Sequence, residues 1–314
     1  MKGSNQYKLK VRTNNKAYAV QDSPFYKLGS KRKLSELLGI ELKELKSMAE
    51  DNSGYKVFSQ KNEKGKIREI QQPFGKLDFL HTRIASLLSR VKPPDYIHSG
   101  RKGHSHISNA KQHVGRLKVL TSDLTKFFPS TSRKMVFDLF RCKFRMNSDV
   151  ADLLSKISCF SDHVPTGSRL SMPLAFWANE VMFNELHLLA DKHGCTMSLY
   201  VDDLTFSGVN VNKLFLNTVL KIVERNGHRL HPKKTKLFRS DEEKVITGVV
   251  VGADGVSLKR IQHQNIHIDL EMWQLLAADK LKVSSLQSRL LGRLWAASQI
   301  DPKFKDKALS VLSS

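Results

Sequence analysis

Apolar residues recur along this chain with two different periods. Leu34, Leu37, Leu38, Leu42 and Leu45 stand at helical spacing on either side of Gly39, which predicts two short helices between Ser30 and Glu50. Leu77 to Val91 predicts a helix stopped by Pro93-Pro94, and residues 131–140 another. Residues 171–193 predict a long buried helix, ended by Gly194 at the position where a left-handed residue is favoured. Alternation takes over elsewhere. Tyr55 to Ser59 and Ile67 to Gln71 flank Asn62-Glu63-Lys64-Gly65, which predicts a β-hairpin with a basic tip. Leu117 to Thr121 forms a short strand running into Asp123, and the β-rich runs 196–201 and 204–207 place Asp202-Asp203 at a hairpin turn. Val245 to Val251 and Val256 to Leu258 flank Gly-Ala-Asp-Gly, a second hairpin, and from Ile266 onward the pattern is helical. Helices interspersed with antiparallel hairpins predict an α+β fold.

Composition narrows the chemistry. The 52 Lys and Arg residues exceed the 30 Asp and Glu, a net charge of +22 that points to a polyanionic partner and away from an enzyme of small acidic substrates. The charge is unevenly spread: residues 51–122 hold 14 basic and 5 acidic residues, and residues 211–240 hold 8 and 1, whereas residues 123–210 hold 9 and 10. Basic arms around a near-neutral middle suit a nucleic-acid enzyme, in which Lys and Arg neutralise phosphates while a reaction centre keeps carboxylates for metal ions. The three cysteines, Cys142, Cys159 and Cys195, form no CxxC pair, so neither a disulfide framework nor a zinc ribbon is expected. His98, His104, His106 and His113 match no common zinc spacing. No signal-peptide core or run of about 18 apolar residues occurs, and a cytoplasmic protein without membrane partners is expected.

Three acidic residues stand at strand ends: Asp123, Asp202 and Asp203. An Asp closing one strand and an Asp pair on a neighbouring hairpin can converge on two divalent ions about 3.5–4 Å apart, the arrangement used for in-line phosphoryl displacement. Mg²⁺ suits such hard oxygen donors. An Asp pair between strands equally suits a plain turn, and the pair alone does not separate the two readings.

The flanking residues add a resemblance that runs in order over most of the chain. Tyr200-Val201-Asp202-Asp203 resembles the catalytic motif of reverse transcriptases, and Asp123-Leu124-Thr125-Lys126-Phe127-Phe128-Pro129 resembles their first carboxylate motif. Lys66-Ile67-Arg68 is similar to the fingers motif that holds the incoming triphosphate, Val164-Pro165-Thr166-Gly167-Ser168 to the motif shaping the nucleotide pocket, and His231-Pro232-Lys233-Lys234-Thr235 to the motif whose Lys lies near the leaving pyrophosphate. Asn109-Ala110-Lys111-Gln112-His113 fits the NAxxH signature of bacterial retron reverse transcriptases, and Ile246-Thr247-Gly248 fits their VTG signature with Ile for Val.

This resemblance implies a right-hand polymerase with an N-terminal helical segment and fingers at 1–115, a palm sheet carrying the Asp triad at 116–254 and a short helical thumb at 255–314. It implies that Asp123, Asp202 and Asp203, with the backbone carbonyl of Leu124, bind two Mg²⁺ ions, and that Lys234 donates a proton or neutralises charge at pyrophosphate, with Lys233 on a backbone phosphate. Lys66 and Arg68 would contact the triphosphate, Phe128 would screen out a ribose 2′-hydroxyl, and Thr166 and Gly167 would floor the nucleotide pocket. Asn109, His113, Thr247 and Gly248 would serve RNA recognition, His113 alternatively as a hydrogen-bonded structural residue. Implied partners are a cognate structured non-coding RNA, its RNA–DNA product primed from an RNA 2′-hydroxyl (msDNA), deoxynucleoside triphosphates and an effector protein in anti-phage defence. The sequence departs from the pattern at Thr166, where the family has Gln, at Met172-Pro173, where it has Ser-Pro, and at His231, where Asn is common. Two other readings remain: a group II intron-like or other stand-alone reverse transcriptase primed from a 3′-hydroxyl, and a non-catalytic RNA-binding scaffold for an effector. Phe127, Trp177 and Trp295 read as core, the last on a helix whose basic face could instead follow a duplex.

Overall fold

The computed structural model describes residues 9–61, 65, 67–276 and 280–313, the last segment as backbone alone over 280–283. The hairpin tip at 62–64 and the expected phosphate contact Lys66 lie outside the described residues. In chain order the elements are α1 (Lys31–Leu38), α2 (Leu42–Met48), β1 (Tyr55–Lys61), β2 (Ile67–Pro73), α3 (Gly75–Leu88), α4 (His106–Lys111), β3 (Lys118–Asp123), α5 (Phe127–Ser130), α6 (Arg133–Asp138), α7 (Ser148–Ser158), α8 (Ser171–Ala178), α9 (Glu180–Lys192), β4 (Thr196–Tyr200), β5 (Asp203–Gly208), α10 (Lys213–Arg225), β6 (Lys236–Phe238), β7 (Lys244–Ile246), β8 (Val249–Val251), β9 (Val256–Ser257), α11 (Arg260–Leu276), α12 (Lys280–Ser298) and α13 (Lys303–Ser313). The fold is α+β: among the described residues the strands pair with one another antiparallel, and two isolated bridges, Tyr18 with Val91 and Ile97 with Leu199, run parallel. The chain divides into two compact units, one of residues up to 95 with 124–188 and 219–231, the other of 96–123, 189–218 and 232–314.

The first unit is mostly helical. Ser30 caps α1 by accepting the Arg32 N–H, and Gly39 ends it at φ 73°, which a residue with a Cβ adopts only at a cost. The β1–β2 hairpin pairs Tyr55 with Pro73 through to Lys61 with Ile67. Phe25 packs edge-on against Phe140 and Phe144 in a fully buried aromatic cluster. The expected long helix over 171–193 is instead two, α8 and α9, broken at Asn179. Asn179 leaves helical geometry at φ −112°, and its buried amide turns to Thr131 Oγ1, to the Ala175 carbonyl and to His228 Nε2. Asn side chains that find partners of this kind compete with the helix ladder. Two other helices end early: that from Leu77 stops at Leu88, and α6 passes into a π-helical turn at Leu139–Lys143.

The second unit carries two sheets. The larger has the order β4-β5-β3-β6, and its register sets Asp123 opposite Asp203 and Tyr200 opposite Asp203. The smaller, β7-β8-β9, corrects the expectation of one strand over 245–251: Thr247 at φ 45° and Gly248 at φ 90° fold that run into a two-residue turn. Positive φ at both central positions is what tight hairpins with right-handed twist require. Ile107, Ala110, Val119, Ile246, Val249 and Val251 form a core between α4 and this sheet. A second core, including Ile266, Trp273, Leu290, Leu294 and Phe304, joins α11, α12 and α13, and Ile300 packs against both. Trp295, expected in the core, is 38% exposed, because Leu290, Leu294 and Ala297 take the inward face of α12. Phe127 and Trp177 are buried, as expected.

Candidate active site

The second unit brings four of the expected residues together at one end of the larger sheet. Asp123 closes β3 and Asp203 opens β5, directly across the ladder, with Asp202 one residue before it in the connecting turn. That turn has only two residues, Val201 and Asp202, between the paired Tyr200 and Asp203. Val201 sits at φ 60°, where hairpins of this length ordinarily carry Gly. A β-branched residue in this region is a strained outlier, persisting only where its surroundings hold it. Here the Val201 N–H donates to Ser99 Oγ at 2.9 Å. The segment bearing Ser99 is itself tied to β4, as the His98 N–H donates to the Leu199 carbonyl.

The carboxylates face each other's charge. Burial, and then the neighbouring Asp202 and Asp123, push the Asp203 carboxyl up to about 7 against the opposing pull of Lys234. Lys234 Nζ lies 2.7 Å from Asp123 Oδ1. The Lys234 segment reaches this position because β6 pairs with β3, Thr121 opposite Lys236, and because Thr235 Oγ1 and Ser122 Oγ hydrogen-bond at 2.8 Å. Among the described residues no group of three His, Cys, Asp or Glu side chains is gathered into a ready metal cage. The donor set nevertheless fits a hard divalent cation: three carboxylates at one sheet end, one of them held uncharged more readily by its burial and then by the charge of the others.

The NAxxH and VTG residues lie elsewhere in the same unit. His113 is fully buried between the strands, Nδ1 2.7 Å from Ser207 Oγ and Nε2 2.7 Å from Ser198 Oγ. A neutral imidazole donates through one nitrogen and accepts through the other, and burial, with His98 nearby, lowers its pKa to about 3. Asn109 is also fully buried, with no hydrogen bond from its side-chain amide to any described residue. The direct RNA contact expected of Asn109 and His113 is therefore not available to either side chain here: both face the interior, supporting β4, β5 and α4. Thr247 and Gly248 are reachable from solvent, and Thr247 Oγ1 donates to the His106 carbonyl at 2.7 Å. The histidines weighed for zinc form no ligand set among the described residues, although His98 and His104 lie ring to ring at 5.1 Å.

The expected nucleotide-pocket residues belong to the first unit. Arg68 is exposed on β2, opposite Gln60. The loop bearing Thr166 and Gly167 is sewn to that strand. Thr166 N donates to Gln71 Oε1 at 3.2 Å, Thr166 Oγ1 donates to the Glu69 carbonyl at 2.8 Å, and Gly167 N donates to the Gln71 carbonyl at 3.2 Å. A Cβ at Gly167 would stand 2.8 Å from Ile70 Cγ2 and 2.9 Å from the Gln71 carbonyl oxygen, so only Gly allows this approach. Phe128 is half-buried beside Phe127, ring centroids 5.6 Å apart, and Leu124 is bridged antiparallel to Leu230.

Sequence reasoning missed Ser99, Gln71 and the Ser122–Thr235 pair. Each acts through a contact distant in sequence, and no local pattern marks such a partner.

No protein-family model matches the chain. Among curated proteins it is similar to the retron Se72 reverse transcriptase of Salmonella heidelberg, with 32% identity over 55% of this chain and 47% of that protein. It is similar to the retron Ec86 reverse transcriptase of Escherichia coli, with 25% identity over 68% of each chain. The retron Mx162 reverse transcriptase of Myxococcus xanthus matches with 28% identity over 73% of this chain and 54% of that protein. The resemblance read from the motifs is thus borne out, and the matches span about half to two thirds of the relatives' length. A solved foamy viral protease-reverse transcriptase in complex with double-stranded DNA overlays 83% of this chain and 38% of its own, at TM-score 0.47 and 15% identity.

Proposed function

We propose that this chain is an RNA-directed DNA polymerase of the retron type. The observation that carries the reading is the register that sets Asp123 across from Asp203 with Asp202 adjacent and Lys234 on Asp123, in a chain similar to several retron reverse transcriptases. In this reading residues 1–115, 116–254 and 255–314 act as fingers, palm and thumb. Asp123, Asp202 and Asp203, with the Leu124 carbonyl, hold two Mg²⁺ ions. Such ions, when bound, lower the pKa of an attacking hydroxyl and neutralise charge on the transferring phosphate.

The remaining roles fall to the chain's own groups. Lys234 neutralises Asp123 and stands ready for the negative charge of the departing pyrophosphate. Lys66 and Arg68 bind the triphosphate, where a guanidinium offers two parallel donors. Thr166 and Gly167, fixed to β2, floor the nucleotide site; the Thr166 hydroxyl is engaged with the Glu69 carbonyl, so the loop keeps its place without the Gln that the family pattern has. Phe128 screens the sugar. Asn109 and His113 support the site from inside, and Thr247 and Gly248 meet RNA. The template is a cognate structured RNA, priming is from an RNA 2′-hydroxyl, and the product serves anti-phage defence with an effector in the cytoplasm.

The test is to isolate the protein with its co-purifying nucleic acid, assay Mg²⁺-dependent DNA synthesis on RNA, and probe the product for a 2′,5′ branch. Synthesis with a branch supports the proposal. Synthesis that starts only at a 3′-hydroxyl favours a stand-alone reverse transcriptase, and absence of synthesis with intact RNA binding favours a scaffold.

A further inference from the structure

A cavity of about 260 Å³ opens in the second unit where the Thr247–Gly248 turn and the first residue of α4 meet α11 and α12. Its walls are apolar: Val249, Leu258, Ile266, Ala296, Ala297 and Ile300. Its polar groups are few and none of them is acidic. His106, Gln262, Asn265 and Arg293 offer ring nitrogens, amides and a guanidinium, and no Asp or Glu stands among the described lining residues. Pockets for drug-sized ligands span roughly 300–1,000 Å³, so this one suits a single planar heterocycle with its sugar and not a peptide or a duplex.

The polar rim is built and oriented. Asp269, 1% exposed, receives Arg289 Nη2 at 2.8 Å and Arg293 Nη1 at 2.5 Å, and Arg293 Nη1 also reaches the Asn265 carbonyl at 3.0 Å. A buried carboxylate thus aims a guanidinium whose side chain remains 36% exposed, with N–H donors left for a ligand. Opposite it the rim is fixed at the cost of strain: Thr247 is held at φ 45° by its bond to the His106 carbonyl, and Ser105 with Ser108 closes a capping box at the start of α4. The Gln262 Oε1 atom accepts from the Lys259 N–H, which leaves its NH₂ group to donate. An apolar slot edged by amide and guanidinium donors matches an unstacked nucleobase, flat on both faces and rich in acceptors at its edge.

We propose that this cavity seats one unstacked base of a single-stranded RNA, read at its edge by Arg293, Gln262 and Asn265. The proposal rests on the nucleic-acid partner proposed above and adds where, and by which base-reading side chains, a strand is recognised away from the carboxylates.

The test measures binding of full-length protein to short single-stranded homopolymers (rA, rC and rU) and to an abasic ribose-phosphate strand of the same length. Wild-type protein should bind at least one base-bearing strand more tightly than the abasic one. Ala296→Phe, which places a ring at the exposed lip, should cut that preference about tenfold while abasic binding stays the same. An unchanged ratio in the variant overturns the proposal. Because the variant could fold poorly, wild-type protein is also photo-crosslinked to 4-thiouridine-substituted RNA. Adducts at residues 258–266 and 293–300 are expected, and adducts confined to other segments overturn the assignment. Equal affinity for free ribonucleoside monophosphates and for the strand would make the ligand a mononucleotide and overturn strand recognition. Primer extension by wild type on poly(rA)·oligo(dT), run in parallel, decides the polymerase reading separately from the base-to-abasic ratio.

Discussion

Two tight turns in the second unit make a useful pair. Tyr200–Asp203 and Ile246–Val249 both close antiparallel strands with two residues, and both put a β-branched residue in left-handed conformation, Val201 at φ 60° and Thr247 at φ 45°. Such a conformation costs roughly 1–2 kcal/mol for an ordinary residue. They differ in what holds them. The acidic turn is held by its backbone, with the Val201 N–H on Ser99. The other is held by its own side chain, Thr247 Oγ1 on the His106 carbonyl, and needs Gly248 beside it. The first turn therefore tolerates change at its strained residue, whereas the second depends on the identity of both of its residues.

The largest effect belongs to the carboxylates. Asp123→Asn, across the ladder from the acidic turn, should lower RNA-templated DNA synthesis on the order of a thousandfold, since stabilisation of transition-state charge by bound metal amounts to several kcal/mol. Primer-extension rates check this, and retention of wild-type rate would remove Asp123 from the site.

Next in size is His113, which sits just beyond α4 and bonds both strands that carry the acidic turn. His113→Ala leaves two buried serine hydroxyls unpaired and should cost about 2–4 kcal/mol in urea unfolding. The same residue predicts a pH effect. Its folded pKa, about 3, lies below its ordinary 6.5, so the unfolded chain takes up a proton first as pH falls. The stability His113 contributes is complete above about pH 6.5 and is lost progressively toward pH 3. Between pH 7 and 5 the wild type should lose about 2 kcal/mol more than His113→Ala, as one titrating group contributes about 1.4 kcal/mol per pH unit.

Gly248→Ala tests the second turn by conformation alone, because a Cβ there meets nothing within 4 Å. A loss of about 1 kcal/mol is expected from φ 90°, and a neutral result would show that the turn relaxes. The smallest effect is a difference in sign. Val201→Gly releases strain and should be neutral to stabilising by up to about 1 kcal/mol, the gain being offset by Gly's greater unfolded-state entropy. Thr247→Gly releases the same strain but loses a hydrogen bond that contributes about 0.5–1.5 kcal/mol, and should gain nothing. Thermal melts of the pair that moved together would break the comparison.

Much of this site was legible in the sequence because it is local. Tyr200-Val201-Asp202-Asp203 between β-rich runs and Asp123 at the end of an apolar run place carboxylates at strand ends by alternation alone. Gly194 was legible as a helix end, and it stands at φ 62°. What escaped depended on distant partners. The break at Asn179 needs Thr131 and His228, residues 48 and 49 positions away. The run of valines from 245 to 251 reads as one strand until the Thr247 hydroxyl finds the His106 carbonyl, 141 residues earlier. Exposure of Trp295 follows from which face of α12 the leucines choose, and a helix pattern rich in apolar residues on several faces leaves that open. NAxxH was legible as a motif, but the burial of Asn109 and His113 was not.

The measurement that bears most directly on the central claim is Mg²⁺-dependent extension of a primer on an RNA template by wild type and by Asp203→Asn, with RNA binding measured on the same preparations. The carboxylate-centred account predicts extension by wild type, its loss on chelation of the metal, and no extension by the variant while RNA affinity stays within a few-fold. Extension by Asp203→Asn at the wild-type rate would contradict it.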